Sequence, residues 1–535
     1  MNTVTHESAL AEWKQALGTK AVVDNPETLQ NFTVNCTGFS KKTIAILSPD
    51  KVSYIPDIVK IAVKHNIPLF PYSTGNNWGY GSTNPAVDNC ALVDLSKLDK
   101  ILDFDVETGI LTLEPGVTQR QLDQFLKQHK YSYLIPVTGA GPDCSLVGNA
   151  LERGYGITPH ADHFGAVMGL EAVLPNGEVY SAMLGNLGGK AVDKAFKWGM
   201  GPYIDGLFSQ SNFGIVTQMT IALAPKPQCV EAFFFSVKKA DDLELAVTKI
   251  RQVLKEVGTV TGSINLMNKH RVLSMSEPYP KDQIGTDGLI PEEVLQKMMR
   301  RNQVMEWTGV GAIYGSKRVV AATRSEIRRI LRPVASRLVF FTPGMVKNLY
   351  GLAHALPIVR NLHLVNVLST LNKTMQLFAG EPSEIALPLA YWRSGKMPQD
   401  GTPMNPDRDG CGLIWYSPLL PMKPDLTRQY TEMVKSICIK HRIEPLITLT
   451  SISDRCWDST IPILFDRNNP EEIDRAHACY HELFDTGRKH GFIPYRLGIQ
   501  SMALPAEKNA VPNILKLFKQ AIDPHNIMAP GRYGL

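Results

Sequence analysis

Three glycine-rich segments constrain this chain more than any other feature: Pro71 to Ser82 (PYSTGNNWGYGS), Thr138 to Gly156 (TGAGPDCSLVGNALERGYG) and Gly199 to Val216 (GMGPYIDGLFSQSNFGIV). Each holds more glycine and small polar residues than a core strand or helix tolerates. Glycine permits positive φ and close backbone approach, so consecutive amides can converge on one anion and cradle a pyrophosphate without a charged side chain. Taken singly, each segment also reads as an ordinary surface loop. None matches GxGxxG behind a strand or the phosphate loop GxxxxGK[ST], so the two best-known nucleotide folds find little support.

The surroundings of these segments read as an α+β chain. Ala91 to Leu95 and Ile110 to Glu114 are expected strands, the second closed by Pro115-Gly116. Leu170 to Leu174, Pro175-Asn176-Gly177 and Glu178 to Tyr180 read as a hairpin, because Asn-Gly supplies the positive φ of a tight turn. Ile215 to Leu223 is a further strand, and Ala224 to Pro227 (APKP) marks an edge. Beyond it the composition shifts towards amphipathic helices, Asp242 to Val257 and Thr427 to His441 among them, with a few strands. Tyr480 to His490 is a last expected helix, stopped by Gly491. A length of 535 residues exceeds what one core fills, so two large domains or one domain with a large insertion are expected.

Charge narrows the partners. Lys+Arg 56 against Asp+Glu 51 gives +5 with no basic tract, which argues against nucleic acid or an anionic membrane and for small molecules. No run of 18 apolar residues occurs, and the start MNTVTHESALAEW lacks a basic stretch followed by an apolar one, so a cytoplasmic protein is expected. The eight cysteines are scattered without a CxxC pair and read as reduced core thiols.

In their order, the segments resemble the flavin domain of the vanillyl-alcohol oxidase and p-cresol methylhydroxylase family. GNNWGYG at Gly75 to Gly81 is similar to its first pyrophosphate loop. EPGVT at Glu114 to Thr118, SLVGNALERGYGITPHADH at Ser145 to His163 and GPYIDGLFSQSNFGIVT at Gly201 to Thr217 follow, and IMAPGRYGL at Ile527 to Leu535 is close to its C-terminal motif. The resemblance implies a PCMH-type FAD-binding domain over residues 1–228, an inserted α/β cap over 229–490, and a C-terminal segment, 491–535, that returns to the flavin and substrate. FAD is the implied cofactor. The implied contacts are Ser73, Thr74, Gly75, Asn76, Asn77 and Gly79 from the first loop; Gly139, Gly141, Cys144, Ser145, Gly148, Asn149 and Gly154 from the second; and Gly214, Ile215, Val216 and Arg532.

The resemblance further implies oxidation of a para-substituted phenol through a p-quinone methide, which is then hydroxylated or loses a proton. Holding the ring as phenolate calls for hydrogen-bond donors and a cation around its oxygen. The matching positions are Tyr80, Tyr495 and Arg496. Asp162 matches the family's acid beside flavin N5, and Arg532 matches its arginine near N1 and the C2 carbonyl, where a fixed cation favours reduction. By themselves, Tyr495-Arg496 reads as a packed ring with a surface cation, Asp162 as a turn or helix-start aspartate, and Arg532 as a terminal surface arginine. His160 and His163 have the spacing of two metal ligands without a third.

One departure concerns attachment of the flavin. Many members tether it through a His or Tyr in the cap, shortly before a motif like WYSP. Here Asp407 to Pro418 (DRDGCGLIWYSP) holds no histidine, and the aligned position falls near Leu413, so non-covalent FAD is expected. Cys144 and Cys411 are the thiols that a flavin bond could use. The implied electron acceptors are O2 or a cytochrome c or cupredoxin, and the expected assembly is a homodimer or higher homo-oligomer. Two other functions stay open: a 2-hydroxy acid or carbohydrate dehydrogenase or oxidase of the same superfamily, and a non-catalytic flavin-fold scaffold.

Overall fold

Short β-rich runs separated by glycine turns build two larger sheets and a two-stranded one in the first 225 residues. In the computed structural model, which describes residues 3–355, 364–399 and 401–535, strands β1 (Val22–Val23), β2 (Thr43–Leu47), β3 (Leu69–Tyr72) and β4 (Cys90–Asp94) lie in the order β1-β2-β4-β3. β2 and β3 both run parallel to β4. Parallel neighbours need a long crossover, and helix α1 (Ile55–His65) supplies it, burying Ile55, Ile58, Val59 and Ala62 and ending at left-handed Asn66.

The second sheet is antiparallel throughout. Strands β5 (Ile101–Asp105), β6 (Ile110–Leu113), β7 (Val167–Val173), β8 (Val179–Tyr180) and β9 (Ile215–Ala222) lie in the order β5-β6-β9-β7-β8. The Asn176-Gly177 turn joins β7 to β8 with Gly177 at φ +83°, as its sequence predicts.

From Cys229 the chain enters a larger, nine-stranded sheet. It comprises β10 (Cys229–Val237), β11 (Asn265–Asn268), β12 (Trp307–Gly315), β13 (Arg337–Phe341), β14 (Cys411–Tyr416), β15 (Pro418–Pro421), β16 (Thr448–Ser451), β17 (Cys456–Asp466) and β18 (Ile493–Pro494). The order is β13-β10-β12-β11-β16-β17-β15-β18, and β14 pairs with the later part of β17. Helices α2 (Leu243–Val257), α3 (Lys317–Leu331), α4 (Pro424–Lys440) and α5 (Pro470–Lys489) share one buried cluster with this sheet, in which Ile250, Ile327, Tyr430 and Leu483 meet Phe233, Trp307 and Trp457. α5 begins ten residues before the expected helix, because Asn469 caps it through the Glu471 N–H and Pro470 fits its first turn. Apolar periodicity alone misses that polar first half.

Beyond Gly491 the chain still belongs to this sheet for one short strand, since β18 pairs with β15. It then crosses back. Leu69 of β3 donates to the Ile527 carbonyl (2.8 Å) and accepts from the Ala529 N–H (2.7 Å), so the C-terminus extends the first sheet. No described helix is long and apolar enough to cross a membrane.

Candidate active site

The loops that leave β3 and β6, the segment that leads into β9, and the returning C-terminus surround one cavity of about 360 Å³, with β14 and β17 closing the other side. The first loop turns sharply. Asn77 N–H donates to Gly75 O (2.8 Å) and Tyr80 N–H to Asn77 O (3.0 Å), with Gly75 at φ +72° and no space for a Cβ beside Thr83. Its side chains then reach the second loop: Asn76 Nδ2 donates to Asp143 O and Trp78 Nε1 to Ala140 O, both at 3.0 Å. Ser145 Oγ accepts from the Gly148 N–H (2.9 Å) and donates to Pro115 O (2.6 Å), so one hydroxyl fixes both a short helical turn and the end of β6.

These loops have the chemistry of an anion and flavin cradle. The N–H groups of Thr74, Gly75 and Asn76 find no acceptor among the described residues. Nε of Arg496, Nε of Arg532 and Oδ1 of Asn212 are buried without a hydrogen-bond partner, and all three residues line the cavity. A Cβ at Gly148 would lie 3.0 Å from Ser73 Oγ, narrowing the cradle. Ser73, Thr74, Gly75, Asn76, Asn77, Gly139, Cys144, Ser145, Gly148, Asn149, Gly154, Gly214, Val216 and Arg532 all line the cavity. Three expected contacts do not. Gly79 is packed under Trp415 and Leu413, Gly141 faces Leu387, and Ile215 points to the opposite face of β9 from Val216, into the core of the first sheet.

Tyr80, Tyr495 and Arg496 converge on this cavity from distant stretches. Ser417, between β14 and β15, ties them: its hydroxyl lies 2.7 Å from Tyr80 Oη and its carbonyl accepts from the Tyr495 N–H at 3.1 Å. The Arg496 guanidinium sits 4.3 Å over the Tyr80 ring and donates to Asn77 Oδ1 at 2.5 Å. Tyr495 meets Tyr155 edge-on at 5.5 Å. Burial pushes the Tyr80 phenol up to about 12 despite the pull of Arg496 and Ser417, and burial raises Tyr495 well above the ordinary phenol range. Both therefore stay protonated near neutrality and can donate.

Glu152, which sequence reading passes over, joins the two arginines: Oε1 bonds Arg532, and Oε2 lies 3.4 Å from Arg496 Nε. Its one signal is a lone acid within a glycine-rich stretch, ALERGYG. It is the one carboxylate among the described lining residues, against two guanidinium groups, so the cavity carries a surplus positive charge.

Asp162 is placed otherwise than expected. It lies on an exposed turn, outside the cavity lining, where its Oδ1 accepts the Gly165 N–H at 2.8 Å. An aspartate three residues before a free N–H closes its own turn, and that local bond wins here. The buried carboxyl near Arg496 is instead Asp458 on β17, whose Oδ1 has no partner; burial pushes it up to about 8, opposed by Arg496. The folded protein thus retains a proton that the unfolded chain loses in the ordinary carboxylate range. Stability should fall with rising pH, by at most about 1.4 kcal/mol per pH unit, until the folded value is passed. Asp458→Asn should flatten this dependence in denaturant midpoints measured between about pH 5 and 8; an equally steep slope in the variant would assign the effect elsewhere.

The remaining candidates separate clearly. The His163 ring bonds the Asn149 side chain, and burial pushes it down to about 4. Cys144 lines the cavity, yet burial pushes its thiol up to about 11, away from the reactive thiolate. Cys411 is fully buried against Gly395, outside the lining, whereas Leu413 does line it with a side chain that has no nucleophile.

Comparison with known proteins points to a flavoprotein. The family model described as "FAD binding domain" matches residues 43–182. The chain is 37% identical to 1'-carboxy-chondrochloren decarboxylase of Chondromyces crocatus, covering 100% of this chain and 98% of that one. It is 28% identical to the flavoprotein subunit of 4-cresol dehydrogenase (hydroxylating) of Pseudomonas putida, over 92% of this chain and 88% of the other. The crystal structure of p-cresol methylhydroxylase with substrate bound superposes with a TM-score of 0.87 at 26% identity, covering 100% of this chain and 98% of that chain.

Proposed function

Because the chain belongs to the vanillyl-alcohol oxidase and p-cresol methylhydroxylase family of FAD-linked oxidoreductases, we propose that it oxidises a para-substituted phenol at the carbon attached to the ring. The observation that carries this reading is the meeting of two buried, protonated tyrosines, Tyr80 and Tyr495, with Arg496 at one cavity. The loops around Ser73–Asn77, Cys144–Gly148 and Asn212–Val216, with Arg532, would hold FAD, which would supply the two-electron oxidation. Tyr80 and Tyr495 donate to the phenolic oxygen, and Arg496 balances its charge as the ring ionises. The apolar walls, Trp78, Leu387, Leu389, Leu413 and Trp415, exclude water from the side chain. Residues 1–228 and 491–535 hold the flavin in this reading, and 229–490 cover the substrate.

An anaerobic titration tests it. 4-Ethylphenol or vanillyl alcohol should bleach the flavin; bleaching by a 2-hydroxy acid such as lactate, with none by phenols, would overturn the assignment. Readmitted air distinguishes O2 from a cytochrome or cupredoxin as the acceptor. Acid precipitation should release the yellow colour into the supernatant, equally in wild type and Cys144→Ser, since neither Leu413 nor a protonated Cys144 favours a flavin bond. Colour retained in the pellet would show a covalent tether.

A second reading concerns the far end of the substrate. End-to-end likeness to a decarboxylase favours a side chain that bears a carboxyl group.

A further inference from the structure

The oxidised side chain of a para-substituted phenol has three exits. Water adds to the benzylic carbon, a proton leaves the next carbon, or another group leaves that carbon without its bonding electrons. The first two call for a base beside the side chain. Among the described residues lining the cavity there is no histidine or lysine, and the one carboxylate, Glu152, is bound by Arg532 and faces Arg496. Asp162 lies on an exposed turn, and Asp458 is not part of the lining. Trp78, Leu387, Leu413 and Trp415 supply apolar wall instead.

The third exit needs no base. A carboxylate on the carbon next to the benzylic position leaves as carbon dioxide, its C–C pair becomes the new C=C bond, and the ring regains its phenolate. Negative charge moves from the carboxylate to the phenolic oxygen, where Tyr80, Tyr495 and Arg496 receive it. An apolar surround favours the step, because a compact carboxylate charge is costly there and the charge ends on paired donors.

We infer that the substrate is a 3-(4-hydroxyphenyl)propanoate-type acid and that its side chain is oxidatively decarboxylated to a 4-vinylphenol. This rests on the phenol reading above. The acid anion loses one hydride, two electrons with one proton, to bound FAD and then one carbon dioxide. The electrons pass on to O2 or a protein electron carrier, and no water is consumed.

The test uses the holoenzyme with 3-(4-hydroxyphenyl)propanoate labelled with carbon-13 at the carboxyl, beside 4-ethylphenol and 3-(4-methoxyphenyl)propanoate. The hydroxy acid should bleach the flavin anaerobically and release one labelled carbon dioxide per flavin reduced. The 4-vinylphenol formed should carry no oxygen from labelled water and no carbon-bound deuterium from heavy water, and the methoxy acid should be inert. Bleaching by the hydroxy acid with 4-coumarate or a hydroxylated acid as product, and no labelled carbon dioxide, would overturn the inference. So would bleaching by 4-ethylphenol alone, which leaves the phenol reading standing. Bleaching by neither phenol would overturn both.

Discussion

Arg496→Ala should lower kcat/KM towards a para-alkylphenol by about a hundred- to a thousandfold, the range for removing a donor aimed at developing charge in a closed site. The residual activity should rise towards alkaline pH, because a phenol ionises near 10 in water and the variant must rely on solvent for that ionisation. Arg496→Lys should recover only part of the loss. One planar guanidinium sits over the Tyr80 ring, donates to Asn77 and faces Glu152, a combination a point-like ammonium cannot reproduce. The readout is the rate of flavin bleaching in single turnover across pH. An unchanged rate and profile would remove Arg496 from the chemistry.

Glu152→Gln should be the most damaging change to stability in the cavity. Its carboxylate holds Arg532 and faces Arg496, and the side chains of all three are largely buried, with exposures of 16%, 14% and 10%. Removing one partner of a buried ion pair leaves uncompensated charge and costs about 3–5 kcal/mol. The denaturant midpoint of the apoprotein should fall accordingly. Added FAD should recover part of the loss, since ligand binding to the folded state stabilises it by mass action and a flavin pyrophosphate brings negative charge to the same cavity. A midpoint equal to wild type would mean that solvent already screens the pair.

The same two positions differ in how much of them the sequence shows. Tyr80, Tyr495 and Arg496 stand out in the sequence because GYG and IPYRLG resemble motifs of the family. Glu152 has no such motif. Its role exists because β3, the turn after Ser145 and the C-terminal return meet at one place, and that meeting depends on the pairing of Leu69 with Ile527 and Ala529. Asp162 errs in the opposite direction. The motif HADH carries it to the right neighbourhood, beside Tyr155, but one local bond to the Gly165 N–H holds its carboxylate on the outer surface. Asp458 is invisible in sequence, being one acid among 51, and becomes notable through burial on β17 close to Arg496.

By itself, then, the sequence determines what short-range chemistry encodes: turns that need glycine, strands with their alternation, amphipathic helices, and the ordered loops that imply a flavin. Tertiary structure decides which of the marked side chains share a cavity, which carboxylate bears on the arginines, and that Cys411 is shut away while Leu413 faces inward. The physical reason is range. A turn is fixed by a few neighbouring dihedrals, whereas charge balance and water exclusion at the site come from groups hundreds of residues apart, such as Tyr80 with Ser417 and Arg532 with Glu152.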